Sequence, residues 1–185
     1  MRFDSPQYID NWKAGHGFPA LHNEMFNAIM QCKHGVSALD LCCNSGLFTE
    51  RMKGEFAHVF GIDGDAAAIK LGVDAGIDNI EHFLINSNTI DTLLGIIDAH
   101  KVDTIIARRC FPELFGSDIE LGRYFIKSIH SINVKYLFIE GRVASKRSVN
   151  HLSSLDKEIA LADSHYIKRV QIKNIAYLRG LDEGL

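Results

Sequence analysis

The feature that most constrains this chain is an acid set in an otherwise apolar strand and followed at once by a turn into a helix. Ser37-Ala38-Leu39-Asp40-Leu41-Cys42-Cys43-Asn44-Ser45-Gly46-Leu47-Phe48-Thr49 reads as a buried strand, a tight turn and the start of a helix. Val59-Phe60-Gly61-Ile62-Asp63-Gly64-Asp65 then reads as a second strand that ends in a carboxylate. That order is how an open α/β sheet builds a nucleoside-binding crevice at the carboxyl ends of its strands. A carboxylate on the first strand can meet an ammonium group, and one on the second can meet a ribose diol.

The rest of the chain continues the alternation. Tyr8 to Phe18 is an aromatic, glycine-bearing lead-in, with Tyr8 and Trp12 spaced to share a helix face. Pro19 starts a helical pattern through Leu21, Met25, Ile29 and Cys32. Strands are predicted at Ala38 to Cys42, Ala57 to Ile62, Ile80 to Ile85, Val102 to Ala107 and Tyr136 to Glu140. Between them, helices are predicted after Phe48, from an Asp65 cap to near Gly76, through Ile90, Leu93, Leu94 and Ile97, and from a Ser117-Asp118-Ile119-Glu120 capping box. Leu152, Leu155, Ile159 and Ala162 mark one more helix. Tyr166 to Leu178 is rich in β-formers, as one long strand or as two bent near Lys173-Asn174. The fold class is therefore α/β, a doubly wound, mostly parallel sheet of the seven-stranded type.

Length and charge narrow the function classes. The 185 residues, 46% of them hydrophobic, suit one domain spanning 1–185, with 1–18 as an N-terminal arm. The net charge of -3 supplies no global basic field, so there is no strong nucleic-acid signal. Cys32, Cys42, Cys43 and Cys110 form no C-x-x-C pair, and the nine histidines form no H-E-x-x-H, so no metal site is predicted. No stretch approaches the roughly 20 apolar residues of a membrane span. A soluble, cytoplasmic chain with reduced thiols is the expectation.

Asp40 needs a partner, either a protein donor or a cation, because an unpaired carboxylate in a buried strand is costly. A sulfonium cofactor bearing an α-amino group suits an acidic site, whereas a pyrophosphate is repelled by the same charge. The first turn also lacks G-x-G-x-x-G, since Cys42, Cys43 and Asn44 stand where glycines would admit a pyrophosphate. These residues point to S-adenosylmethionine as the cofactor. Asn44-Ser45-Gly46 reads equally as a polar turn capping a helix. Asp63 is the ligand candidate, and Asp65 the cap.

Through Ala38 to Gly46 and Val59 to Asp63 the chain resembles the class I S-adenosylmethionine-dependent methyltransferases, whose first turn usually reads D/E-x-G-x-G-x-G. Only the last of those glycines is present, as Gly46, with Cys42 and Asn44 in the earlier positions. The resemblance implies that Asp40 and the loop through Cys42, Asn44 and Gly46 hold the amino-acid portion of the cofactor. It implies that Asp63, with Gly64, meets the ribose, and that Asn86 with Ser87 faces the adenine amine. Asn86 also reads as a cap for the next helix.

The segment Ala107-Arg108-Arg109-Cys110-Phe111-Pro112-Glu113-Leu114 would border the transferring methyl group. It carries neither the Asn/Asp/Ser-Pro-Pro-aromatic run of amine methylation of bases nor the Pro-Cys order of a cytosine nucleophile. Cys110 is a candidate nucleophile or a packing residue. Arg108 and Arg109 are candidates to recognise a carboxylate or phosphate, or to pair with nearby acids such as Glu113. The lead-in either folds over the cofactor or packs on the surface. Lys168, Arg169 and Lys173 fit a solvated edge strand. The expected activity is methyl transfer by direct displacement to a small-molecule or macromolecular acceptor. A cofactor-binding protein without transferase activity and a nucleotide-dependent oxidoreductase are the alternatives. A macromolecule would be grasped by the arm and the loops around Arg108 and Gly141-Arg142.

Overall fold

The computed structural model describes residues 6–32, 35–141, 152 and 154–181. The expected position of Arg142 lies outside them, as does the first part of the arm, residues 1–5. Seven strands form one sheet in the order β3-β2-β1-β4-β5-β7-β6. The strands are β1 (Ser37–Leu41), β2 (His58–Asp63), β3 (Ile80–His82), β4 (Thr104–Arg108), β5 (Tyr136–Glu140), β6 (Tyr166–Ile172) and β7 (Ile175–Gly180). The first five are parallel; β7 runs antiparallel between β5 and β6. Strand order reverses between β1 and β4, so the carboxyl ends of those two strands flank the crevice.

Among the described residues, eight helices flank this sheet: α1 (Pro6–Lys13), α2 (Ala20–Gln31), α3 (Leu47–Met52), α4 (Ala66–Asp74), α5 (Ile90–Ala99), α6 (Phe111–Phe115), α7 (Ile119–Ser131) and α8 (Leu155–Ala162). Alternate residues of each central strand feed opposite cores. Leu39, Leu41, Ile105, Ala107, Leu137 and Ile139 pack with α5, α7 and α8. Ala38, Ile106, Tyr136 and Phe138 pack with Met25 and Ile29 of α2 and Phe48 and Met52 of α3. This second face is the one toward which Asp40, Arg108 and Glu140 project, since they continue its alternation.

Several boundaries differ from the sequence reading, each for a local reason. β3 stops at His82 rather than Ile85, because β2 ends at Asp63 and offers no further strand to pair with; only Phe83 N–H still reaches Asp63 O, at 2.8 Å. β1 stops at Leu41 because Cys42 turns into the left-handed region at φ 60°. Strands β2 and β4 lie one or two residues later than predicted. Asp118, not Ser117, caps α7, its carboxylate accepting from Leu121 N–H at 3.0 Å. Leu152 is buried ahead of α8, which begins at Leu155 behind a Ser154 cap. The short α6 lies in the segment after β4, for which the sequence predicts no element. The tail region is two strands, joined by Lys173-Asn174 with Lys173 at φ 51°.

Exposure along β6 matches an edge strand with Lys168 and Arg169 in solvent, and Lys173 pairs with Glu24 at 2.7 Å. In the described part of the arm, Ile9 of α1 is buried against Leu47 and Ile77, with Tyr8 and Trp12 alongside. Among the described residues, no helix is long and apolar enough to cross a membrane.

Candidate functional site

The turn after β1 repeats one backbone shape three times. Cys42 (φ 60°), Asn44 (φ 55°) and Gly46 (φ 76°) all lie in the left-handed region. Those are the positions at which the resemblance leads one to expect glycines. A side chain in that region costs roughly 1–2 kcal/mol, less for asparagine, whose side chain can bond locally. Asn44 does so: its Oδ1 accepts from Ser45 N–H at 2.8 Å. The loop thus keeps the conformation while losing two of the three glycines. Gly46 serves the protein itself, since a Cβ there would meet Ile80 Cγ2 at 2.5 Å.

Asp63 ties this loop to the next one. Its Oδ2 accepts from Asn44 N–H at 2.8 Å and its Oδ1 accepts from Asp65 N–H at 2.7 Å. Asp65 in turn caps α4, accepting from Ala67 and Ala68 N–H, as the sequence predicted. Burial raises the Asp63 carboxyl above its ordinary range, the two backbone donors oppose the rise, and the charges of Asp65 and Glu113 add to it. Each oxygen keeps a second lone-pair direction, and the residue is only half-buried, so it can still accept from a diol.

Asp40 finds a protein donor. It is 1% exposed, and its Oδ2 accepts from Thr49 Oγ1 of α3 at 2.7 Å. It therefore braces the loop from beneath. Gly61, paired with Asp40 across β1–β2, leaves room there for Thr49 and Cys43. Gly64 is exposed beyond β2, beside Leu84. Asn86 forms a turn, its Oδ1 accepting from Asn88 N–H at 2.8 Å, while Thr89 takes the cap position of α5. Ser87 is exposed on that turn. The loops after β1, β2 and β3 thus bring Cys42, Asn44, Gly46, Asp63, Gly64, Asn86 and Ser87 to one end of the sheet.

Across the reversal point, Arg108 and Arg109 share a carboxylate that sequence reasoning did not pick out. Arg108 Nε donates to Glu140 Oε2 at 3.0 Å, and Arg109 Nη2 lies 2.5 Å from Glu140 Oε1. Glu140 ends β5 in register with Arg108 and is 5% exposed. The signal was present: Glu140 is an acid at the end of an apolar strand, as Asp40 nearly is. The Arg108 guanidinium also lies over the Phe48 ring, 4.6 Å from its centroid.

Cys110 is a packing residue. It is 2% exposed, its Sγ donates to Leu41 O at 3.5 Å, and burial, with contact from Cys42, pushes its thiol well above the ordinary range. Burial and the charges of Asp40 and Asp63 do the same for Cys43. Only a thiolate attacks, so burial and the raised pKa both disfavour a nucleophilic role for these two thiols. Alkylation with iodoacetamide under native conditions is expected to label Cys32 and Cys42, which are partly exposed, and to reach Cys43 and Cys110 only after unfolding. Peptide mapping by mass spectrometry checks this; early labelling of Cys110 would contradict its burial.

The β1–β2 end suits a nucleoside with a cationic arm: a half-exposed carboxylate, a loop whose amides from Cys43 to Gly46 are held by the protein itself, and no glycine gap for a pyrophosphate. The loop also holds a polar atom without a protein partner, Ser45 Oγ, in a residue with no exposure.

No protein-family model matches the chain, and no curated protein matches it in sequence. Solved structures do match it. The N-methyltransferase NodS from Bradyrhizobium japonicum aligns over 94% of this chain and 99% of its own, at 15% identity and a TM-score of 0.62; NodS has also been crystallised with S-adenosyl-L-homocysteine. A TehB-like SAM-dependent methyltransferase from Corynebacterium glutamicum aligns over 96% of this chain and all of its own, at 14% identity and a TM-score of 0.57. The bifunctional kinase-methyltransferase WbdD matches at 14% identity and a TM-score of 0.59, with 96% of this chain covering 40% of WbdD. Strand order, the antiparallel β7 and these alignments agree: the chain has the fold of the class I methyltransferases.

Proposed function

We propose that the chain is an S-adenosylmethionine-dependent methyltransferase acting by direct displacement. The observation that carries this reading is the triple left-handed turn at Cys42, Asn44 and Gly46, clipped by Asp63. Two non-glycine residues held in that region within three positions cost stability, and they do so at the carboxyl end of β1, beside the point where strand order reverses. Asp63 takes the ribose hydroxyls, the loop from Cys42 to Gly46 borders the amino-acid arm, and the turn at Asn86 and Ser87 borders the base. Asp40 and Thr49 position the loop without touching the ligand.

When bound, the sulfonium supplies a methyl group already activated for displacement, so the protein has to provide alignment rather than proton transfer. That suits a site where Cys110 is buried, its Sγ donating to Leu41 O. The side of Arg108, Arg109 and Glu140 is left to receive the acceptor.

Calorimetric titration with S-adenosylmethionine, S-adenosylhomocysteine and NAD tests the reading. Micromolar binding of the first two, followed by transfer of labelled methyl to a component of cell extract, is expected. Binding without transfer to any extract would favour a cofactor-binding protein, and NAD binding alone would favour an oxidoreductase.

Asp63 predicts the pH dependence. Its carboxyl is raised in the folded chain. The part of its folding stability that is linked to the bound proton is therefore full below the ordinary carboxylate pKa and is lost as pH rises through the raised value. Ligand affinity runs the other way, because diol recognition needs the ionised acceptor. Affinity for S-adenosylhomocysteine is expected to fall by up to about tenfold per pH unit below the raised value. Asp63→Asn should flatten that profile; an unchanged profile would remove Asp63 from the site.

A further inference from the structure

Arg108 holds its guanidinium in place with only part of its hydrogen-bonding capacity. Nε donates to Glu140 Oε2 at 3.0 Å, and the plane rests over Phe48 at 4.6 Å. Neither Nη1 nor Nη2 has a protein partner among the described residues, and neither is sealed from solvent, although the side chain is only 12% exposed. A guanidinium has five N–H donors, so four of them, on two amino groups, remain available on a side chain already held by Glu140 and Phe48. This is the pre-formed fork that recognises planar or tetrahedral oxyanions.

Its position is specific. β4 neighbours β1, with Ala107 opposite Leu41, which sets Arg108 one strand, roughly 4.8 Å, from the first left-handed residue of the loop, Cys42. Phe48, on which the guanidinium rests, lies in the first turn of the helix that this loop opens. An anion on the fork would therefore sit beside the cofactor loop, on the side of the crevice that the β2 and β3 loops leave free. Glu140 does not close the fork, because it approaches through Nε and is divided between Arg108 and Arg109.

We propose that Arg108 binds an oxyanion of the methyl acceptor, a carboxylate or a phosphate, so that the substrate is an anionic molecule anchored by that group next to the transferring methyl. The acceptor role rests on the methyltransferase reading; the anion site itself does not.

The side-chain Nε–H signal of Arg108, assigned by its loss in Arg108→Lys, reports occupancy directly in NMR spectra of wild-type protein saturated with S-adenosylhomocysteine. Inorganic phosphate and acetate are titrated separately, with acetamide as the neutral control. A saturable shift with phosphate, acetate or both, and none with acetamide, is expected, and the stronger anion identifies the class. No saturable shift with either anion, or an equal shift with acetamide, overturns the proposal. A deproteinised extract split on an anion exchanger before incubation with labelled S-adenosylmethionine then tests the acceptor role. Label in the retained fraction is expected, abolished by prior phosphatase treatment if the group is a phosphate. Arg108→Lys should raise KM for that acceptor by roughly tenfold to a hundredfold while leaving affinity for S-adenosylhomocysteine unchanged. Label confined to the unretained fraction, or an unchanged KM, overturns the acceptor role. A protein that shifts with anions but fails to bind S-adenosylhomocysteine keeps the anion site and loses the methyltransferase reading.

Discussion

Asp63→Ala is expected to weaken S-adenosylhomocysteine binding by about a hundredfold or more, enough to remove a micromolar signal from calorimetry. The substitution removes the acceptor for the ribose and also the clip that joins two loops. Each Asp63 oxygen takes one backbone N–H, from Asn44 at 2.8 Å and from Asp65 at 2.7 Å. Hydrogen bonds to a charged group contribute roughly 1.5–3 kcal/mol each. The folded chain is therefore expected to lose about 2–4 kcal/mol as well, measured by urea denaturation, because water replaces part of what is lost at a half-exposed site. Asp63→Asn separates the two effects. It keeps one acceptor oxygen and can satisfy one N–H, so it should recover part of the stability but little of the affinity. Affinity within threefold of wild type in Asp63→Ala would move the cofactor out of this crevice.

Gly46→Ala is expected to cost about 2–5 kcal/mol and to eliminate binding even in the fraction that folds. Two terms add. The residue sits at φ 76°, where a Cβ is strained by roughly 1–2 kcal/mol. The new methyl also meets Ile80 Cγ2 at 2.5 Å and Ile77 Cγ2 at 3.2 Å, within a packed cluster that includes Leu47 and Ile9. Overpacking of such a site costs about 1–3 kcal/mol more. Relief requires the loop to move away from β3, which unseats Asn44 from Asp63. A melting temperature within a degree of wild type would show that the loop does not hold this conformation in solution. Cys42 offers the complementary case: it already occupies the left-handed region, so Cys42→Gly should leave binding intact.

The elements that were legible in the sequence are those whose neighbours impose one pattern. β5 is buried along its whole length, and its residues Tyr136 to Glu140 are all that pattern can accommodate. The Asp65 cap was legible because a short acid followed by three alanines has one good use. The loop was harder, because its shape lies in φ angles that three different residue types share. Cys42 and Asn44 conceal a turn that glycine letters would advertise, and no family model matches the chain although the fold is plain. Thr49 and Glu140 were missed for another reason. Their partners, Asp40 and Arg108, are 9 and 32 residues away, and only the sheet register brings them together. The brevity of β3 depended on where its neighbour stops, which no property of Ile80 to Ile85 records.

The antiparallel β7 carries a consequence for how the chain is made. It pairs along all of β5, from Tyr136 opposite Arg179 to Glu140 opposite Ile175, and its first four residues are buried. Until the ribosome has released residues 175–180, β5 presents an open apolar edge that includes Phe138 and Ile139. Such an edge is a template for strands of other chains. A nascent chain stalled before residue 175 is therefore expected to be prone to association through that edge. The hairpin that adds β6 and β7 is the step that makes the sheet safe to release.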